Sequence, residues 1–374
     1  MRKRLANVLS LGIKELRSIR ADPILLLLIL YTFSYAVYAV ATGAKLEVEH
    51  ASVAIVDEDR SELSRRIKAA ILEPFFKPAQ EIPPSDVDRG MDLNRFTFVV
   101  EIPPSFESDL LARRKPSVQI NVDATAMAQA GNGAVYLQNI IGREVLSFAQ
   151  RAEGTTRLPI DVVIRSKFNP NVHSHWFTAV MQVINNITIL SVILTGAALI
   201  REREHGTVEH LLVMPVTPGD IMLAKIWANG LVILLAALVS LKIVVEILLG
   251  VPIAGSIALF LAGAVIYQFS VTALGILIAT FTTSMPQFGL LAMPILVIMN
   301  LLSGSTTPME TMPQWLQNVM QLSPSTHFVS FAQAILYRGA DLPIAWPQLL
   351  AMIAIGAAFY AVSLMRFRKA IAAA

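Results

Sequence analysis

Between Ile247 and Met309 the chain runs for 63 residues without a charged side chain. A helix crosses a hydrocarbon layer of about 30 Å in roughly 20 residues. The run is therefore too long for one crossing and divides into spans near Ile257–Phe281 and Phe288–Gly304. Two more spans come from the 20 uncharged residues Ile24 to Gly43 and the 25 from Trp176 to Ile200, and another, about Ile226 to Leu249, is interrupted by Lys242 and Glu246. Leu342 to Met365 supplies the last, its helix proper starting near Trp346 because Pro343 and Pro347 suit a first turn better than an interior. Six spans result. Composition agrees: 15% of residues are charged and 55% hydrophobic, against about 25% charged in soluble domains, which argues against a water-soluble enzyme. The absence of cysteine rules out a disulfide scaffold, a thiol nucleophile and a thiolate-held metal.

The bases set orientation. Arg2, Lys3, Arg4, Lys14, Arg17 and Arg20 precede the first span, and Arg366, Arg368 and Lys369 follow the last. Short basic flanks stay in the cytoplasm, so both termini are expected there, in agreement with an even number of spans. The net charge of +3 then reads as a topology signal, and no nucleic-acid partner is expected. Ala39-Val40-Ala41 resembles a signal-peptidase site, but the long head and the 20-residue apolar stretch favour a retained anchor. Residues 1–22 form an amphipathic pattern, with Leu5, Val8, Leu9, Gly12, Ile13, Leu16 and Ile19 at helical spacing. Such a helix lies in the membrane interface or folds onto its own bundle, and Asp22-Pro23 caps the span that follows, 23–43.

Residues 44–175 are long enough for their own core. Ala51 to Val56, Phe96 to Ile102 and Val118 to Val122 read as strands, with helices over Ser61–Leu72, Pro104–Leu111 and Ala126–Ala149 and a return strand over Asp161–Arg165. This alternation favours an α/β domain, expected outside the cytoplasm. Asp57-Glu58-Asp59 reads as a solvated turn or cap rather than a cation site, and His173 and His175 lack a nearby third ligand, so no metal is expected.

The remainder, 176–366, holds spans two to six, with a short tail at 367–374. An external segment, 305–345, carries the apolar cluster Trp315, Leu316, Val319, Met320 and Leu322 and a second helical run from His327 to Tyr337. It either caps the bundle or re-enters the membrane as a gate, which requires its backbone to be covered by protein. Inside, Arg201-Glu-Arg-Glu-His-Gly-Thr-Val-Glu-His-Leu-Leu-Val-Met-Pro215 opens a polar segment, 201–220. Gly206 ends one helix and Thr207 caps a short second one, whose Val208, Leu211 and Leu212 face the membrane domain and which Pro215 and Pro218 stop. Glu202, Glu204 and Glu209 are left for a basic partner, unless the segment is only a solvated connector. His205 and His210 are five apart and do not make the His-Glu-x-x-His zinc motif. Lys242 and Glu246 share a helix face: they mark a transport pathway, or Lys242 snorkels near the outer surface. Asn185, Asn186, Thr188, Ser191 and Thr195 either wall a pathway or join helices.

Together these features resemble the permease subunits of type-2 ABC exporters. The likeness rests on the basic amphipathic head, on Val53-Ala-Ile-Val-Asp-Glu-Asp-Arg-Ser61 opening the large domain, and on Arg203-Glu-His-Gly-Thr-Val-Glu-His-Leu-Leu-Val-Met-Pro215 after span two. Pro308-Met-Glu-Thr-Met-Pro-Gln-Trp315 and Ser323-Pro-Ser-Thr-His-Phe328 match the last external region, so the resemblance covers essentially the whole chain. It implies an α-helical polytopic membrane protein of the bacterial inner membrane, with six transmembrane helices and an extracytoplasmic α/β domain between the first two. It also implies export of a hydrophobic or amphiphilic, drug-like or lipid-like cargo, a second permease subunit, the same or related, and a cytoplasmic ABC ATPase that binds ATP and Mg. A periplasmic adaptor and an outer-membrane channel follow from it less directly, and membrane lipid is a further contact. Arg203, Glu204, Gly206, Thr207, Glu209, Leu211, Leu212 and Pro215 would couple to the ATPase, while Asn185, Asn186, Thr188, Lys242 and Glu246 would line a pathway or pack helices.

The sequence carries no Gly-x-x-x-x-Gly-Lys-Ser/Thr loop, so no catalytic residue or cofactor is expected on this chain. Two other classes compete. An ion-driven secondary transporter calls for a buried ion relay or inverted repeats, which the single large domain after span one does not suggest. A membrane scaffold presenting its outer domain would keep working after the coupling helix was disrupted.

Overall fold

The computed structural model describes residues 2–43, 50–93, 95–123, 127–153, 174–204 and 217–372. The chain divides into two compact units, Met1–Gly43 with His175–Ala374, and Ala44–Ser174.

The first unit opens with a head helix, Arg2–Ala21. Asp22 ends it and starts the next: its Oδ1 accepts from the Leu25 amide at 3.1 Å and Pro23 takes the first helical position, where a missing N–H is harmless. Among the described residues six helices are long and apolar enough to cross a membrane: Pro23–Gly43, Ser174–Glu204, Pro218–Leu248, Ile257–Thr280, Met285–Leu302 and Leu342–Arg366, here spans one to six. The second is the hub. Its central stretch is 83% buried, against 50% for span four and 17% for span six. Close approach makes this packing: a Cβ on Gly275 of span four would lie 2.9 Å from the Val192 carbonyl of span two, so only glycine lets the backbones meet there.

Two boundaries differ from expectation. Span three starts at Pro218 rather than near Ile226, because Thr217 and Asp220 form a reciprocal capping box with Pro218 at the first position. Pro218 therefore begins a long helix. The helix of span six begins at Leu342 and keeps Pro347 inside it. Asp341 offers its carbonyl to the amides of Ile344 and Ala345, so the first turn is already made before the proline, which removes only its own donor. Span three ends in a wide turn, Ser240–Leu248, whose bonds skip one residue more than an α-helix, as in Leu249 N to Val244 O at 3.0 Å.

Between spans five and six, helices Gln314–Met320 and Pro324–Leu336 follow one another. The second is embedded in the bundle: Phe328 stacks on Tyr267 at 4.0 Å, and Phe331, Ile335 and Leu336 are buried. Its backbone thus has the protein cover that a re-entrant element needs.

The second unit holds a four-stranded sheet of order β2-β1-β3-β4, with β1 Val53–Asp57, β2 Gln80–Glu81, β3 Phe98–Ile102 and β4 Gln119–Val122. β1 is parallel to β2 and β3, and β4 is antiparallel to β3. Helices Glu62–Ala70 and Met127–Glu153 bury Leu63, Ile67, Leu137 and Ile141 against Val53, Ile55, Phe98 and Val100. Ala54, Val56 and Val99 are buried with Val87 and Phe96 in a second cluster, which is why β1 and β3 read as unbroken apolar runs. The acidic turn is a lock. Asp57 accepts from the Asp59 and Arg60 amides and from Ser64 Oγ, and Asp59 accepts from the Glu107 amide. The carboxylates of Asp57 and Asp59 are thereby committed to protein donors. The strand expected at Asp161–Arg165, like His173, lies outside the described residues.

Candidate functional site

The head end of the first unit is where span two stops, span three starts and spans four and five are joined. Of the segment expected to couple to a partner, Arg203 and Glu204 are described, whereas Gly206, Thr207, Glu209, Leu211, Leu212 and Pro215 lie outside the described residues. Span two stays helical to Glu204. Arg203 Nη1 donates to the Ala279 and Thr282 carbonyls, both at 3.1 Å, satisfying acceptors at the C-terminal end of span four. A cation suits that end, where the helix dipole is negative. Glu204 Oε1 accepts from the Met285 amide at 3.0 Å, placing an anion on the positive N-terminus of span five.

Below these contacts lies a buried ion cluster. Lys225 Nζ, on span three, sits 3.0 Å from Glu202 Oε1 of span two and 3.0 Å from Glu15 Oε1 of the head helix. The three side chains are 2%, 13% and 14% exposed, so a single ammonium is shared by two carboxylates with little help from water. Buried charges of this kind persist only when paired, and removing one partner strands the others. Glu202 and Glu204, expected to face a partner, are both engaged within the chain, and Lys225 is buried.

The head helix is fastened a second time. Trp227 Nε1 donates to the Val8 carbonyl at 3.1 Å, and a Cβ on Gly12 would fall 2.0 Å from the Trp227 ring, so the indole lies flat on a glycine. Val8, Gly12, Glu15 and Ile19 share the face turned to the bundle, while Leu5, Leu9 and Ile13 remain exposed beside it. The helix thus docks on its own bundle and leaves an apolar stripe exposed. A cavity of about 140 Å³ remains among the head helix and spans two and three, lined by Lys14, Ser18, Glu202 and Asn229.

Sequence reasoning singled out neither Glu15 nor Trp227. The signals were present: one acid on the Val8, Gly12, Ile19 face, and the Thr217-Pro-Gly-Asp220 cap that moves Lys225 inside a helix.

The polar side chains of span two reach other spans. Asn186 Nδ2 donates to the Thr32 carbonyl at 2.7 Å, Asn185 reaches Asn300, Thr188 pairs with Tyr267 at 2.6 Å, Ser191 with Gln268, and Thr195 with Asn229. Lys242 and Glu246 pair at 2.7 Å on the wide turn of span three and are 49% and 40% exposed.

This geometry is that of a membrane bundle whose one end is braced around a polar connector. The sequence matches the ABC-2 family transporter protein family over residues 23–365. The chain belongs to the ABC-2 transporter family. It is 50% identical over 369 residues, 99% of both chains, to the inner membrane transport permease YhhJ of Escherichia coli K12. It is 30% identical to the probable multidrug ABC transporter permease YbhR of the same organism, over 95% of this chain and 94% of that one, and 28% identical to YbhS, another probable multidrug ABC transporter permease, over 90% of each. As an ABC-2 permease homologue with six apolar helices it is a multi-pass membrane protein. Membership implies the membrane component of an ABC transporter, which works with a partner ATPase.

Proposed function

We propose that this chain is the permease subunit of an ATP-driven exporter. It moves a hydrophobic or amphiphilic cargo out of the cytoplasm or the inner membrane, and a separate cytoplasmic ATPase binds ATP and Mg and supplies the energy. Two permease subunits, identical or related, enclose the path, both termini are cytoplasmic, and residues 44–175 lie outside the cytoplasm. A periplasmic adaptor and an outer-membrane channel complete the route.

One observation carries the reading. The segment 205–216 is flanked by anchors on both sides: Arg203 and Glu204 hold the ends of spans four and five, and Lys225 holds span two and the head helix. A push on that segment is delivered to four spans and the head helix at once, because ion pairs and packed helices transmit displacement as rigid bodies. Gly206, Thr207, Glu209, Leu211, Leu212 and Pro215 make the contact, and the braced elements move together. Asn185, Asn186 and Thr188 hold span two in the bundle while it moves, and Lys242 with Glu246 faces outward from span three.

The test is capture of the full-length protein from native membranes, identification of the co-purifying ATPase, and reconstitution in proteoliposomes. Gly206→Pro should preserve insertion and assembly while ATP hydrolysis continues without transport, since proline restricts the turn that presents the short helix. Coupled transport at the wild-type level would remove the segment from this role, and reproducible absence of any ATPase from an intact complex would favour a scaffold.

A further inference from the structure

At the end of the bundle opposite the head helix, Phe177 lies near the start of span two, Ser303 follows span five and Gln348 lies in the first turns of span six. A cavity of about 470 Å³ sits between them and helix Pro324–Leu336. Its size falls within the roughly 300–1,000 Å³ of small-molecule sites. Its wall is polar and stiff. His327 is held at both ring nitrogens, Nδ1 at 2.7 Å from Gln348 Oε1 and Nε2 at 2.9 Å from the Gln321 carbonyl, and Gln333 donates to the Gly304 carbonyl at 3.3 Å.

Two charges in this wall are unspent. Glu310 and Arg338 also line the cavity, and neither makes an ion pair among the described residues. Both side chains are exposed, and a pure anion would be repelled by Glu310 and a pure cation by Arg338. A ligand carrying one charge of each sign satisfies both. Phe177, Met309 and Val329 supply apolar wall beside them.

We propose that this cavity binds a zwitterion with an ammonium and a phosphate, the ammonium on Glu310 and the phosphate on Arg338. The source of that chemistry is a phospholipid headgroup or a free aminoalkyl phosphate. The site belongs to the permease itself, so the proposal stands whether or not ATP-driven transport does.

The purified full-length protein, relipidated with equal parts of phosphatidylethanolamine, phosphatidylglycerol and phosphatidylcholine, is examined by native mass spectrometry, and phosphoethanolamine binding is followed by calorimetry. Retention of phosphatidylethanolamine at least tenfold over phosphatidylglycerol, reduced at least tenfold in both Arg338→Gln and Glu310→Gln, supports the lipid headgroup. Phosphoethanolamine binding lost in the same two variants, without lipid selectivity, supports the free zwitterion. Both substitutions are at exposed positions, so the fold is expected to be kept. Three results overturn the proposal: no selectivity together with no phosphoethanolamine binding, selectivity unchanged in both charge variants, or preference for phosphatidylglycerol lost in Arg338→Gln alone.

Discussion

Lys225→Met tests whether the buried ion cluster holds the head end together. The substitution keeps the length of the side chain and removes its charge, leaving Glu15 and Glu202 facing the space that the ammonium filled. Each carboxylate lies 3.0 Å from Nζ, so the two are at most about twice that distance apart. At an effective dielectric near 20, two like charges at roughly 6 Å repel by about 3 kcal/mol. Breaking a buried ion pair by deleting one partner costs about 3–5 kcal/mol in general, and both carboxylates here are largely shielded from water. The bundle should therefore lose about 3–5 kcal/mol. The triple variant Glu15→Gln, Lys225→Met, Glu202→Gln has no stranded charge and should recover most of that loss. Denaturant unfolding of the full-length protein in mixed micelles, followed by tryptophan fluorescence, reads both, since Trp227 sits on the same head-helix contact. A single variant within about 1 kcal/mol of wild type, or a triple variant no better than the single one, would refute the view that these charges depend on one another.

Gly12→Leu should lift the head helix off Trp227, because any side chain there collides with the indole ring at 2.0 Å; the readout is a red-shifted tryptophan emission with transport lost, and an unchanged spectrum counts against the contact. Gly255→Ala should destabilise the bundle by about 1–3 kcal/mol, since its Cβ would sit 2.1 Å from the Ile335 carbonyl, a backbone atom that cannot turn aside. Gly289→Ala, with nothing within 4 Å, should instead add about 0.5–1 kcal/mol through helix propensity, so equal effects of the two in micelle unfolding would contradict the packing described. Asp57→Ala removes the acceptor for two amides and the Ser64 hydroxyl and should cost about 2 kcal/mol in the second unit. Faster hydrogen exchange of β1 in the full-length protein checks it, and unaltered exchange would dismiss the lock.

The spans were legible because a membrane helix satisfies its backbone within its own segment, so local apolarity suffices to mark it. The amphipathic head and the Asp22-Pro23 cap were legible for the same reason, their bonds closing within a turn. Proline is ambiguous by residue type alone: the neighbouring acceptors at Thr217, Asp220 and Asp341 decide that Pro218 opens span three and that Pro347 lies inside span six. β2 escaped notice because two exposed residues, Gln80 and Glu81, join the sheet only through backbone bonds to β1.

The candidate site divides along the same line. By itself the sequence determined that a polar connector follows span two, that glycine and threonine stand where a short helix would begin, and that charges gather there. Tertiary structure alone decided which charges are free. Lys225 meets Glu15 across 210 positions of chain, and Arg203 meets Ala279 across 76. A basic flank and a buried ion look alike in sequence, because what separates them is the carboxylate that folding brings to within 3 Å and the water that folding takes away.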